Sequence, residues 1–349
     1  MTAATHYQRP PTEDQLNRGI SNAKYPRPFS DHRYRQEKRT LTQFLVQILG
    51  MLPPDPIKQK IPVHKGKVPI FDEFSQALRI CPFAFLPLGI RELYHYAFDT
   101  YPSPLEMWLI LSLNALVFGI LFLNFMNHLV LRYGYFDGEV HRDTIPKKDL
   151  LKMVFEVVSG ASLRPLLAVA SSYDQNKPTQ LSLWLPLQLF MFTLTEDFIY
   201  YWVHRMCHES ETMWKFHRLH HTTKHPTALL LGYADEIQEV FDIVLAPTLA
   251  WLLYPIPFDV LVVWIIIHLS IQLHGHSGIR LHHGTVLTGP FLRPIGMELI
   301  SEDHDIHHRF GWGKSCNYGK QSGVWDVLFG TFGNRIECRE DNIDYSHRV

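Results

Sequence analysis

Histidines recur in short clusters within the C-terminal half of this 349-residue chain, which contains 21 of them. His204 and His208 in HRMCH are four residues apart, so on a helix both imidazoles project from one face and can bind a common ion. The segments HRLHH and HDIHH share the spacing H-x-x-H-H, and they contribute His217, His220, His221, His304, His307 and His308. A single pair of histidines at helical spacing more often lies in the core or on the surface than binds a metal. Three clusters in one chain nevertheless favour a metal site.

A fourth group of histidines lies between these clusters, in HGHSGIRLHH, just after an apolar run. His276 is the favoured further ligand in this segment, and His274 is the less favoured choice. His282 and His283 are expected to surround the site or to lie on the surface.

The number of clustered imidazoles exceeds the need of one ion, because a single zinc takes four ligands. Two metal ions are therefore expected. Neutral imidazole suits Fe, Zn, Cu and Ni alike, so the ligand type leaves the element open. Open positions on redox-active iron would allow O2 activation, whereas zinc would serve hydrolysis. Asp197 and Asp305 flank the clusters and are expected to accept hydrogen bonds from ligating imidazoles.

Two other functional classes remain as alternatives. A membrane zinc hydrolase would be expected to carry H-E-x-x-H, but Glu209 follows His208 with no histidine at the required spacing beyond it. A non-catalytic metal-binding or transport protein should place its ligands within apolar spans, whereas here they lie beyond the ends of such runs.

The elements that position these clusters include long apolar runs. In a chain with 46% hydrophobic residues, such runs are typical of a membrane protein. Roughly 20 apolar residues suffice for a helix to cross a bilayer. The candidate spans are Leu105–Leu131, Leu181–Val203, Val240–Tyr254 and Phe258–Leu273. The sequence therefore predicts an all-α integral membrane bundle of about four transmembrane helices, with a cytosolic helical cap that holds the dimetal site.

The chain divides into four segments by composition. Residues 1–80 form a polar, basic and partly disordered arm, and residues 81–180 hold an interfacial segment, the first transmembrane helix and a loop. Residues 181–335 form the catalytic domain, and 336–349 are a C-terminal tail.

Charge gives the expected orientation and excludes one class of partner. A formal net charge of -1 gives no electrostatic basis for binding nucleic acid. The basic arm favours the cytosol as its compartment, and an even number of crossings brings every histidine cluster to the same side. The loop between Tyr133 and Lys177 would then lie on the opposite side of the membrane.

The ordered set HRMCH, HRLHH, HGHSG and HDIHH, with EDFIYYWVHR before it and WDVLFGT after it, resembles the fatty acid hydroxylase and sterol desaturase superfamily. The resemblance covers roughly residues 180–333. HSG in HGHSG is most similar to the sterol C-4 methyl oxidase branch, although Ile279 stands where that branch usually has an aromatic residue.

The resemblance implies a multi-pass enzyme of the endoplasmic reticulum membrane, with its histidine boxes facing the cytosol. It implies two iron ions, O2, and electrons from NAD(P)H through a cytochrome b5 or its reductase as partner. The implied reaction is hydroxylation, desaturation or methyl oxidation of a hydrophobic small molecule, such as a sterol or terpenoid, in sterol or secondary metabolism. The implied metal ligands are His204, His208, His217, His220, His221, His276, His304, His307 and His308.

Overall fold

A computed structural model describes residues 41–55, 59–138, 140, 142–143, 145, 149–311 and 315–349. The first 40 residues of the N-terminal arm lie outside the described residues, so its partial disorder stays a prediction. The later part of the arm contributes to the folded body, because Val46, Met51 and Val68 are buried there.

Helices dominate the described chain. In chain order they are α1 (Leu41–Ile48), α2 (Glu73–Phe98), α3 (Pro104–Tyr133), α4 (Leu150–Ser172), α5 (Leu185–Glu209), α6 (Glu211–His217), α7 (Glu236–Glu239), α8 (Ala246–Leu253), α9 (Phe258–Gly275), α10 (Gly289–Leu292), α11 (Ser301–Phe310) and α12 (Val324–Leu328). Short 3-10 helices span His220–Thr222, Ala228–Gly232, Arg293–Ile295 and Glu340–Asn342, and a π-helix spans Val240–Leu245. Two strands, β1 (Val68–Ile70) and β2 (Ile343–Arg348), complete the fold.

Local sequence signals set where the first long helices begin. The Asp72 side chain caps α2 by accepting hydrogen bonds from the backbone N–H groups of Phe74 and Ser75. Ser103 and Glu106 form a reciprocal capping box at the start of α3. The short turn between the two helices therefore makes them antiparallel neighbours.

Three helices among the described residues are long and apolar enough to cross a membrane: α3, α4 and α9. They differ in their surroundings. In α9, 89% of the most apolar 18-residue window is buried inside the protein, against 39% in α3 and α4. We conclude that α9 is the central helix and that α3 and α4 present apolar faces outward.

The predicted spans agree with these helices only in part. Leu105–Leu131 and Phe258–Leu273 fall within α3 and α9. Most of Leu181–Val203 forms α5, but Glu196 and Asp197 reduce its apolar character, and it is not one of the three candidate spans. The prediction of a loop over residues 133–177 was wrong for α4, whose apolar run is interrupted in sequence by charged residues and a proline. The presence of four membrane crossings remains a prediction.

Contacts place the end of α3 beside the histidine clusters rather than across the bundle from them. Tyr135 forms a β-bridge with Ile279, and the Arg142 guanidinium pairs with Asp305. The segment that follows α3 therefore lies at what we call the histidine end of the bundle, which contradicts its predicted position on the opposite side.

Arg91 near the end of α2 marks the opposite end of the bundle. Its guanidinium donates to the carboxylate of Asp259 at the start of α9 (3.1 Å) and to the carbonyl of Asp174 just after α4 (3.2 Å). The long helices therefore run between these two ends.

A small parallel sheet, absent from the all-α prediction, joins distant parts of the chain. Val68 of β1 pairs with Ile343 of β2, so the C-terminal tail packs on the arm. The backbone N–H of His282 donates to the carbonyl of Pro69 (2.8 Å). The sheet thereby fixes the segment after α9, which carries histidines, against the N-terminal part of the described chain.

Candidate metal centre

The nine histidines implied as ligands converge in two groups at the histidine end, although they come from five separate elements. In each group the candidate ligand atoms lie within 4.8 Å of one another. The five-histidine group contains His204, His208, His217, His221 and His307. The four-histidine group contains His220, His276, His304 and His308. All nine side chains are buried.

Helical geometry explains how each H-x-x-H-H segment serves both groups. His217 and His221 are four residues apart and face the five-histidine group, while His220 between them faces the other. The second segment reverses this arrangement, because His304 and His308 face the four-histidine group and His307 crosses to the five-histidine group. Each segment therefore links the two groups.

Backbone carbonyls orient several of the rings. Nδ1 of His276 lies 2.9 Å from the carbonyl of Gln272, and Nδ1 of His220 lies 3.2 Å from the carbonyl of Tyr233. A carbonyl can only accept, so Nδ1 carries the proton in each ring and Nε2 of the neutral ring carries a lone pair. The two Nε2 atoms nevertheless lie 3.2 Å apart. Two facing lone pairs at this distance repel each other unless a cation lies beside both.

Backbone carbonyls orient further rings of the centre, and other Nε2 atoms also lie close together. Nδ1 of His204, His307 and His308 lies 2.8, 2.7 and 2.9 Å from the carbonyls of Tyr318, Cys316 and Thr223, respectively. Nε2 of His304 lies 3.0 Å from that of His276, and Nε2 of His307 lies 3.1 Å from that of His221. The donor set therefore fits two cations that prefer neutral imidazole.

Burial keeps these imidazoles unprotonated. It lowers the pKa of His220 to about 4 and that of His307 to about 3, against an ordinary value of 6.5. Both rings are neutral at physiological pH, which is the state that binds a metal ion.

The carboxylates of Asp197 and Asp305, which were predicted to accept hydrogen bonds from the imidazoles, contact neighbouring segments of the chain instead. The Asp197 carboxylate accepts from the backbone N–H groups of Lys320, Gln321 and Ser322 at 2.8, 2.8 and 3.1 Å. It therefore fixes the segment that follows Tyr318, whose carbonyl in turn orients His204. Neither Asp197 nor Asp305 has a hydrogen bond to one of the nine rings among the described contacts.

Asp305 instead forms a buried charge cluster with two arginines. Its carboxylate pairs with Arg142 from the segment after α3 and with Arg309 one turn later in α11 (2.5 Å). Burial opposes ionisation, but the two guanidinium groups lower the pKa of Asp305 overall. This cluster joins α11 to the rest of the bundle.

The remaining histidines of the HGHSGIRLHH segment stay outside both groups. The ring of His274 packs against that of His283, with centroids 4.1 Å apart. Nε2 of His282 lies 3.2 Å from the Glu298 carboxylate. This placement agrees with the preference for His276 over His274.

A cavity of about 70 Å³ adjoins the four-histidine group at His220 and His276. Small or apolar residues of α3, α4 and α9 form much of its wall, including Gly119, Gly160 and Leu273. The cavity thus connects this group with the helices that are long enough to cross a membrane. None of the five-histidine group lines it.

Sequence reasoning missed the backbone carbonyls and the polar part of the cavity wall. Carbonyls carry no sequence signal, since every residue has one. Apart from the two histidines, the polar residues of that wall are scattered over five segments of the chain: Glu156, Arg164, Tyr200, Glu239, Asp242, Gln272 and Lys320. Their position beside the two facing histidines becomes evident only in the fold.

Comparison with known proteins agrees with this geometry. The family model for fatty acid hydroxylases matches residues 189–331, which include all nine histidines. The fatty acid hydroxylase vlmA of a Lecanicillium species is 34% identical over 316 residues, which are 83% of this chain and 86% of that protein. The chain belongs to the fatty acid hydroxylase family.

Other relatives match over shorter segments. A very-long-chain aldehyde decarbonylase of Oryza sativa is 33% identical over 41% of this chain and 51% of its own length. A methylsterol monooxygenase of Aspergillus fumigatus is 29% identical over 45% of this chain and 50% of its own length. The relatives support an oxidoreductase that modifies lipids, and they include the predicted sterol methyl oxidase branch. No solved structure matches the chain significantly.

Proposed function

We propose that this protein is a membrane-bound non-heme di-iron oxygenase that hydroxylates, desaturates or oxidises a methyl group of a sterol, terpenoid or other lipid-like substrate. The observation that carries the proposal is the pair of facing histidine groups whose Nε2 lone pairs converge. The family relatives support lipid oxidation rather than hydrolysis. Iron held there would supply the redox chemistry that activates O2 and removes hydrogen from an unactivated carbon.

Residues of the protein orient the imidazoles and keep bulk water away from the site. The carbonyls of Tyr233 and Gln272 keep the Nε2 atoms of His220 and His276 directed toward one point. Burial of both rings excludes bulk water from that point. The adjoining cavity brings a substrate carbon beside the four-histidine group, while the five-histidine group remains behind it.

The apolar faces of α3 and α4 support delivery of substrate from the lipid bilayer. Electrons would come from NAD(P)H through a separate cytochrome b5 or its reductase. We place the enzyme in the endoplasmic reticulum membrane with its histidine end toward the cytosol, where such a donor could reach it.

Product analysis under labelled oxygen tests this function. Lipids and metabolites are extracted from membranes of cells that express the wild-type chain or the His220→Ala variant, after incubation with heavy-oxygen O2 and NAD(P)H. Hydroxylation adds one labelled oxygen atom to a lipid-like product that only the wild type forms. Desaturation gives an unlabelled product with two hydrogens fewer. A wild-type extract identical to that of the variant would contradict the proposal.

A further inference from the structure

The first helix of the described chain turns its apolar side away from the protein. Four large apolar residues follow the spacing i, i+3, i+4, i+7 and form what we call the apolar stripe of α1: Leu41, Phe44, Leu45 and Ile48. Leu41 is 73% exposed and Ile48 is 65% exposed, whereas Val46 on the other side of the helix is 2% exposed. Large apolar side chains are unfavourable in water, so this stripe requires an apolar partner.

The end of α1 is fixed against α3. Gly50 closes the last turn with a φ of 65°, which glycine adopts at little cost, and a Cβ there would collide with the Asn124 side chain. The Asn124 amide donates to the carbonyl of Leu49 (2.7 Å), and the Asn127 amide donates to the carbonyls of Gly50 and Leu52 (both 2.9 Å). These hydrogen bonds hold α1 at one level along α3.

The outward face of α3 changes from apolar to polar at that level. Exposed apolar residues recur every four positions along the earlier part of this face: Leu105, Leu109, Leu113, Val117 and Leu121. The exposed residues His128 and Arg132 continue the same face. Asn124 and Asn127 lie at the change, about 9 to 14 Å before the end of α3. We conclude that α1 lies where a hydrocarbon core around α3 would end, on the side of the histidine end.

Exposed apolar surface continues from α1 onto α4. The two helices pack against each other, and the first turns of α4 expose Leu151 and Phe155 at the same end of the bundle. Apolar surface therefore extends from the stripe over both outward-facing helices, α3 and α4. This continuity favours lipid as the partner of the stripe, because one bilayer would cover all three helices.

The chain around α1 is basic. Three lysines are exposed in the segment between α1 and β1: Lys60, Lys65 and Lys67. After Asp55 the sequence of this segment contains no acidic residue. Nε2 of His64 lies 3.2 Å from the carbonyl of Arg132, so the segment lies beside the end of α3. The sequence just before α1 adds four more basic residues: Arg33, Arg35, Lys38 and Arg39. Basic residues beside an apolar helix attract anionic lipid headgroups.

We propose that α1 is an interfacial anchor. Its apolar stripe lies at the boundary between headgroups and acyl chains in the leaflet at the histidine end, and the surrounding basic residues bind anionic headgroups of that leaflet. The anchor thereby holds the histidine end of α3 at a set depth in the bilayer. This attachment is separate from the oxygenase chemistry and would persist in a protein without metal.

Hydrogen exchange of the α1 backbone tests the anchor. The full chain is held in phosphatidylcholine nanodiscs that contain one copy each. Phe44→Glu and Ile48→Glu each place a charge on the stripe, and we expect exchange to become about tenfold faster in both, because each removes buried apolar area. Glu favours a helix at least as well as Phe or Ile does, so a solvated α1 would not exchange faster. Rates equal to wild type in both variants would overturn the inference.

Gln47→Glu is the matched control for these variants. Gln47 is exposed on the same helix but lies outside the stripe. The substitution adds the same charge and should leave exchange of α1 unchanged. An equal acceleration in this control would show that exchange does not depend on the stripe, and it would also overturn the inference.

Anionic lipid tests the contribution of the basic residues. Replacing part of the phosphatidylcholine by phosphatidylserine should slow exchange of α1 severalfold, and the double variant Lys60→Gln, Lys67→Gln should reduce this slowing. Lys177→Gln is the control, because Lys177 is exposed at the opposite end of the bundle. No effect of phosphatidylserine, or an equal reduction in the control, would refute binding of anionic headgroups.

Photocrosslinking identifies the partner of the stripe. A photoreactive phenylalanine analogue in place of Phe44 should form adducts with phospholipid, which mass spectrometry detects, and the same analogue in place of Gln47 should form fewer. Crosslinks to the N-terminal arm or to a second copy of the chain, without lipid adducts, would overturn the anchor. Any of these results would leave the oxygenase function to be decided by its own product analysis.

Discussion

Nε2 of His220 lies 3.2 Å from Nε2 of His276, although each ring directs its Nδ1 proton to a backbone carbonyl. The two residues are 56 positions apart, in a 3-10 turn after α6 and at the end of α9. Facing lone pairs repel each other in the absence of a cation, so this pair supports a metal site more directly than the count of histidines does.

His220→Ala should abolish turnover and leave membrane insertion intact. The variant removes one of four ligands beside the cavity, whereas insertion depends on the apolarity of α3, α4 and α9. Product formation and the membrane-bound fraction are measured on the same preparation. His347→Ala on the exposed strand β2 is the control and should keep full activity. Retained turnover in His220→Ala would remove His220 from the ligand set.

Asp305→Ala should destabilise the protein by about 3 kcal/mol or more, because it leaves two buried guanidinium groups without their shared carboxylate. Denaturant unfolding in detergent measures the change in free energy. Asp341→Ala provides the control, since its pair with Arg339 is highly exposed and should contribute less than about 1 kcal/mol. Equal effects of the two substitutions would refute a structural role for Asp305.

The metal-free protein should lose stability as the pH falls from 7 to 5. Unfolded histidines take up protons near pH 6.5, whereas folded His220 does so only near pH 4, so the unfolded state gains protons first. Each such histidine should cost on the order of 2 kcal/mol at pH 5. Unfolding is followed at several pH values after chelation, and metal-free His220→Ala should show a weaker dependence. A flat profile over this range would contradict buried neutral imidazoles.

The histidine end and the C-terminus should face the same compartment. Tags placed after Glu211 and at the C-terminus should both be accessible to protease before permeabilisation, and a cysteine introduced at Asn176 at the other end of the bundle should be shielded from labelling. Detection of the two tags on opposite sides would rule out the proposed orientation.

The site was more predictable from sequence than the helical bundle. Helical spacing alone brings His204 and His208, or His304 and His308, onto one face, so ligand sets follow from local geometry. The division into two groups, with His220 and His307 crossing between them, depends on how α9 and α11 pack and has no local signal.

The membrane helices show where sequence reasoning failed. The residues of α4 were predicted to belong to a loop, and Lys152, Glu156, Arg164 and Pro165 interrupt its apolar run. Glu156 and Arg164 line the cavity. The fold therefore buries charged side chains that lower the mean hydropathy of this segment. Asp305 was likewise predicted beside an imidazole, but arginines from elsewhere in the fold and in α11 take up its carboxylate.

Metal content tests the central claim most directly. Protein purified without chelator should contain about two iron atoms per chain, and His276→Ala should contain about one, because it disrupts only the four-histidine group. Elemental analysis, normalised to folded protein, gives both numbers, and turnover is measured with iron and with zinc. About two irons in the wild type and activity with iron alone would agree with the di-iron oxygenase. A stoichiometry near one in the wild type, or full turnover with zinc, would contradict it.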